Sequence, residues 1–397
     1  MRVQLTMRSL RFAALALFAI GMWQANAWAG VLPEDRADVL YHRYDGGGVV
    51  VQGPSVLVRK SIKEKVSVVA NYYTDMISSA SIDVLSTASK YTEKRTQTSL
   101  GVDYLRGRST YTLSYINSQE SDYVAKTASF NVSQDMFGDL TTVSFGYRQG
   151  NNDVFRNIKV NGVRRNDPNF AAKMKSRAYS IGVTQVITRN LIGVGLFEVT
   201  ADEGYLSSPY RSIRYAVPLS VNPNGFAYAP ENYPSTHTGN AASLRLMYYL
   251  PWRASVNGMY RFYTDSWGIR ANQLQFGYAH PAWRHWIFDG RYRYYKQGAA
   301  NFYSDLFPRL NTLNFQARDR ELAAFTNNSV GVSASYEFHF LRTPWLSKSS
   351  LNFSFDHMMI NYSDYHNNLL STPTTVGREP LYKLNANIFQ LFFSAWF

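Results

Sequence analysis

The chain has no cysteine, which excludes disulfides, zinc–thiolate sites, iron–sulfur clusters and cysteine nucleophiles. It is also short of charge: Asp, Glu, Lys and Arg make up 17% of its 397 residues, where a quarter is usual. Beyond the N-terminus no apolar run approaches the roughly 20 residues of a membrane helix, so a helical bundle in lipid is excluded. Dinucleotide and P-loop motifs are missing as well. Aromatic residues, by contrast, are abundant, with 29 Tyr, 24 Phe and 8 Trp. Such a chain can bury enough apolar surface to escape disorder.

The first 29 residues read as an export signal. Arg2, Arg8 and Arg11 form a positive start, 12–20 an apolar core, and Ala27-Trp28-Ala29 a small-x-small site, so cleavage is expected after Ala29. Residues 30–397 then form the mature protein, expected to be a single domain, and losing the three arginines takes its formal charge from +13 to +10.

From residue 36 onward the apolar signal has a period of two. Val66, Val68, Ala70 and Tyr72 oppose Ser67, Asn71 and Tyr73; Val143, Phe145 and Tyr147 oppose Ser144, Gly146 and Arg148; Val330, Val332, Ala334 and Tyr336 repeat the pattern. Each such segment is a strand with one apolar and one polar face. Sixteen candidates follow, near 36–44, 49–60, 66–76, 95–106, 109–118, 123–133, 141–150, 176–187, 191–201, 237–250, 254–264, 269–279, 286–297, 327–340, 349–362 and 384–397. At about 10 to 13 residues these strands have the length that crosses a bilayer when tilted. A closed sheet alone can do so, because an open one would leave backbone groups unpaired in lipid.

The expected fold is therefore all-β, a transmembrane antiparallel barrel of about 16 strands, with 14 to 18 allowed because 36–44 could instead be an arm inside the lumen. Links after even-numbered strands are short, whereas 77–94, 151–175, 202–236, 298–326 and 363–383 are long. Short periplasmic turns and long extracellular loops are the pattern of outer-membrane barrels, which places the protein in the outer membrane of a Gram-negative bacterium. Trp252, Trp283, Trp286, Trp345 and Trp396 lie at the short-turn ends, where an indole suits the headgroup layer, and only Trp267 falls on the other side.

The last strand places Phe389, Leu391, Phe393, Ala395 and Phe397 on one face and ends on an aromatic. It resembles the terminal assembly signal of Gram-negative outer-membrane barrels, which implies recognition by the barrel assembly machinery; Ala395 departs from the aromatic usual there. A narrower resemblance runs through Pro33-Glu34-Asp35-Arg36-Ala37-Asp38-Val39, Tyr44-Asp45-Gly46-Gly47-Gly48, Gly53-Pro54-Ser55, Asn71-Tyr72-Tyr73 with Asp75, and 78–83. These segments are similar to an uncharacterised bacterial family of outer-membrane proteins, a domain of unknown function. The resemblance implies a fold and a location but no activity and no functional residues.

Function is to be sought on the inward face. Parity places Arg148, Arg245, Arg261, Arg291 and Arg293 toward the lumen, with Asp103, Asp289, Glu337 and Asp356 as acidic counterparts. The arginines would favour anions, or simply pair with the acids across strands. Tyr73, Tyr249, Tyr263 and Tyr295 would narrow the passage, or serve as filling. The loop 202–236 contains Arg211-Ser212-Ile213-Arg214-Tyr215, which could fold inward as a constriction, and its prolines argue against regular strands.

Other chemistry has less to stand on. The seven histidines, His42, His237, His280, His285, His339, His357 and His366, accompany no recognisable nucleophile serine, and Asp356-His357-Met358-Met359 splits across two faces of a strand. No metal or cofactor is expected. The leading expectation is a porin-like passive channel for small solutes. The alternatives are a plugged barrel acting as a scaffold or export partner for periplasmic components, and a lipid-facing hydrolase. Partners would be outer-membrane lipid and lipopolysaccharide, a periplasmic component, or further copies of the chain, but not nucleic acid.

Overall fold

A computed structural model describes residues 31–79, 91–339 and 345–397. The expected leader lies outside them. The chain forms β1 (Arg36–Gly46), β2 (Val49–Ile62), β3 (Val66–Ser79), β4 (Tyr91–Arg106), β5 (Ser109–Gln119), β6 (Tyr123–Met136), β7 (Thr141–Val160), β8 (Val163–Thr188) and β9 (Leu191–Gly204). After β10 (Ser212–Ala216) and β11 (Phe226–Pro230) come β12 (Thr236–Tyr249), β13 (Ser255–Asp265), β14 (Arg270–Ala282), β15 (Trp286–Gln297), β16 (Phe325–Phe338), β17 (Lys348–His366) and β18 (Leu381–Trp396).

Sixteen of these strands close into one antiparallel barrel in which each pairs with its chain neighbour, β9 passing directly to β12. The seam is β1 against β18, with Arg36 opposite Trp396 and Gly46 opposite Ala386. Residues 36–44 are thus the first strand of the wall and not an arm in the lumen. Alternation sets the two faces. Val39, Tyr41, Leu113, Ile181, Leu244, Phe276 and Val332 stand exposed on the outside, as lipid-facing positions must. Their sequence neighbours point inward and are mostly polar or small, Leu40 being an exception.

Two loops are more ordered than their sequence suggests. Residues 151–175, expected as a loop, continue β7 and β8 into a hairpin that turns at Asn161-Gly162, both at positive φ. Asn-Gly between apolar residues is the strongest short signal for such a turn, because both positions need left-handed backbone. Within 202–236, β10 and β11 form a two-stranded sheet of their own. The prolines do not prevent it. Pro218 and Pro223 lie in the connection between the two strands, Pro209 and Pro234 lie outside both, and Pro230 is the final residue of β11.

Trp252, Trp283 and Trp345 are exposed at the short-turn rim. Trp267, the one tryptophan at the other end among the described residues, packs instead with Tyr233 and Phe302.

Candidate functional site

Above the long-loop end the loops build a second core. Phe302, Ala300, Ala317 and Leu322 of 298–324 pack with Tyr233 and Ile269, and with Tyr263 of the inward face of β13. Ala323 packs with Tyr362, Leu384 and Ala386, beside Tyr44 and Phe325. Tyr263, Tyr362, Leu384, Ala386 and Tyr44 occupy inward positions of the wall, so the loop residues that cover them sit inside the barrel mouth.

The loop 205–235 reaches the opposite wall. The Tyr210 hydroxyl donates to Asp122 at 2.9 Å and accepts from the Asn157 N–H at 2.5 Å. Four residues on, Arg214 is fully buried and pairs with Glu379. Asp122 precedes β6, Asn157 lies in β7, and Glu379 precedes β18. Around the barrel β7 stands nine strands from β18 one way and seven the other, close to diametrically opposite. A segment tied to both walls crosses the mouth. The folded loops form a cap.

Charge is built into this cap. Arg211 pairs with Asp319, and Arg318 with Asp305 at 2.8 Å. Tyr233 donates to Glu231 at 3.0 Å. The β7–β8 hairpin bends at an irregularity between Phe155 and Asn157 and lays Arg164 on Glu93 at 2.5 Å. Burial, and next the Asp122 charge, push the Tyr210 hydroxyl well above its ordinary range, so it stays a neutral donor. Burial alone would raise the Glu379 carboxyl, but the Ser371 hydroxyl and Arg214 outweigh it and hold it below its usual range. A depressed carboxylate contributes stability above its unfolded value, and that contribution is lost as pH falls through the folded one. The cap is therefore expected to hold from pH 5 to 8 and to loosen below about pH 4, read as protease cutting within 205–235 while the barrel stays folded.

Deeper in the barrel the inward arginines are distributed unevenly. Arg291 of β15 spans β16 to reach Asp356 of β17, with Nε to Oδ1 at 2.8 Å, and also touches Asp289 at 3.2 Å. The residue it crosses is Gly331, which sits in register with both. A Cβ there would lie 2.1 Å from the Asp356 carboxylate. Arg261, opposite Ser243 of β12, pairs diagonally across that strand with Glu198 of β9, which is opposite Ala241. Arg59 of β2 pairs with Asp103 of β4 across Ser67 of β3, which it also hydrogen-bonds at 3.1 Å. Arg245 meets only the Met259 sulfur at 3.5 Å, Arg293 the Ser329 hydroxyl at 3.3 Å, and Arg148 stands exposed in the lumen.

The tyrosines divide in the same way. Tyr73 is buried and stacks on His42, its hydroxyl 3.0 Å from Nε2. Tyr263 donates to Asp265 at 3.1 Å, and Tyr295 to Gln297 at 2.7 Å. Tyr249 and Glu337 lie exposed at the short-turn rim. Phe389 and Leu391 face outward on β18.

Sequence reasoning missed the cluster around Tyr73. There Asp75 takes His42 at 2.7 Å and Arg95 at 2.7 Å. Parity places Asp75 and Tyr73 on one face, but it takes the register to set Arg95 opposite Asp75. Four other histidines meet carboxylates, a tyrosine or an amide: His237 with Asp202 and Asp265, His366 with Asp305, His280 with Tyr278, His357 with Asn387; His285 packs edge-on to the Tyr336 ring. Among the described residues no group of three or more His, Asp or Glu is placed to hold a metal ion.

A family model described as "Protein of unknown function (DUF3570)" matches residues 85–368, well over half of the chain. The chain belongs to this family. The matched stretch of the DUF3570 family begins after the residues 33–83 that carried the resemblance in the sequence, and it takes in the cap segments 205–235 and 298–324 but not Glu379. No curated protein matches the chain. Solved structures similar to it include a bacterial polysaccharide outer-membrane secretin, at 7% identity over 90% of this chain and 97% of that one, with a TM-score of 0.46. OmpT of Vibrio cholerae matches at 8% identity over 92% and 100%, with a TM-score of 0.42. The ferric citrate transporter FecA in its unliganded form matches at 8% over 91% and 79%, with a TM-score of 0.45. The protein is a closed, sixteen-stranded antiparallel β-barrel with an apolar outer face.

Proposed function

We propose that the protein is a narrow channel for small solutes, in which the loop cap and not the bore of the barrel sets what passes. The carrying observation is the span of 205–235 across the mouth, fixed to Asp122 and Asn157 on one wall and tied through Arg214 to Glu379 on the other. A sixteen-stranded wall encloses a bore wide enough for water, and a folded cap with buried ion pairs reduces it to the gaps between loops. Charge selection in this channel is mild. Arg261 and Arg291 are matched by acids, so any preference for anions rests on Arg148, Arg245 and Arg293.

Excising 206–233 and joining the ends by a short turn tests this. Gly204 donates to the Ser235 carbonyl at 2.8 Å, so β9 and β12 are already positioned for a hairpin. Wild-type protein in planar bilayers should show small conductance steps, and the excised barrel steps several-fold larger. Equal steps from the two would remove the cap from the mechanism. Silence from both, with folded barrels, would favour the rival reading of a plugged barrel that carries a periplasmic partner.

A further inference from the structure

The outer wall changes character abruptly above one sector of the lipid belt. On β6, β7 and β8 the outward residues Phe130, Tyr147 and Tyr179 lie in one register, followed toward the short turns by Ile181 and Val183 of β8. One step nearer the cap, Gln149 lies opposite Arg177. One step further, Lys126, Asn151 and Lys175 are aligned across the three strands, and Lys173 stands above them. Lys126, Lys173 and Lys175 are exposed, and the Arg177 side chain is 39% exposed. Glu203 lies 3.4 Å from Arg177 and 3.7 Å from Lys175, and Asp153 faces Lys173 in register. Four cations thus face two acids. At the same boundary β12, β13, β14 and β16 carry the neutral Asn240, Thr264, Asn272 and Asn328, joined by two cations, Arg270 opposite Thr264 and Lys296 opposite Asn272, where the β6–β8 sector has four.

We infer that this row binds the phosphate groups of a phosphorylated glycolipid in the outer leaflet, its acyl chains lying against Tyr147, Tyr179 and Ile181. Lys126 and Lys175 stand two strands apart, about 10 Å, far enough to serve separate phosphates of one headgroup. Their flexible stems reach to the interface while the charges stay in the polar layer. Gln149 and Asn151 supply neutral donors between them. A free anion would gain nothing from the aromatic face directly beneath, and a peptide could not reach it past the acyl chains. The site is on the outside of the wall and stands whether or not the lumen conducts.

The test titrates folded, detergent-purified protein with bisphosphorylated lipid A, with the same lipid stripped of its phosphates, and with phosphatidylglycerol. The wild type should prefer the phosphorylated glycolipid over both. Combining Lys126→Gln, Lys175→Gln and Arg177→Gln should weaken that binding at least about tenfold, since each cation near an anionic surface matters by several-fold. Lys126→Gln alone, which leaves the Glu203 pairs intact, should weaken it measurably. Glu203→Gln should bind as tightly or tighter, and Lys296→Gln with Lys383→Gln on the far side should bind as wild type does. Unchanged binding by the triple variant, equal binding of the stripped lipid or of phosphatidylglycerol, or equal loss in the far-side variant would overturn the assignment.

Discussion

Replacing Arg214 with alanine is expected to release the cap while leaving the barrel folded. Arg214 is fully buried against Glu379, and its guanidinium lies 4.7 Å from the Phe226 ring. Removing one partner of such a pair leaves the other charge buried and unmatched, at a cost of about 3–5 kcal/mol. That cost falls on the loops, because the barrel ladders involve neither residue. Protease should then cut within 205–235, and conductance steps should grow toward those of the excised barrel. Adding Glu379→Ala should recover part of the loss, since it removes the stranded carboxylate. A single variant as protease-resistant as wild type would show that the tie to β18 does not hold the cap.

Gly331→Val is expected to open a bridge inside the wall and to destabilise it. Its Cβ would meet the Asp356 carboxylate at 2.1 Å and Arg291 Nε at 2.5 Å, so the bridge across β16 must open. The pair is partly solvated, with side chains 30% and 19% exposed, and its own contribution is discounted accordingly. Overpacking, with a small share from the lost bridge, should lower stability by about 1–3 kcal/mol, read as a lower urea midpoint in micelles. Gly290 is the control. It stands on the neighbouring strand with nothing within 4 Å of a Cβ, so Gly290→Val should leave the midpoint unchanged or raise it. Equal midpoints for the two valine variants would remove the bridge from the account.

Much of the barrel was legible because parity is a local signal. Each strand announced itself by its own alternation, and the seam of β1 with β18 followed once closure was required. The β7–β8 hairpin was legible too, at Asn161-Gly162, but the polar residues around it concealed strands that extend beyond lipid and so have no apolar face. The cap was a different matter. Arg214 and Glu379 lie 165 residues apart, and Tyr210 and Asp122 lie 88 apart. No local pattern marks such partners. Arg211 and Arg214 drew notice as a possible constriction by charge alone, and nothing nearby in the sequence indicated which acids would bury them. The lumenal bridges fall between these cases. Parity put Arg291 and Asp356 on one face, but only the register reveals that a glycine lies between them.

The bridges of Arg59, Arg261 and Arg291 each skip a strand, joining the wall at its next-nearest neighbours. A sheet held only by ladders can shear, each strand sliding along the next, as an unbraced fence leans. Diagonal ties across three strands brace it. Ties at β2–β4, β9–β13 and β15–β17 stiffen those sectors of the wall against such sliding, which sets a braced wall beneath a cap whose own ties run through loops.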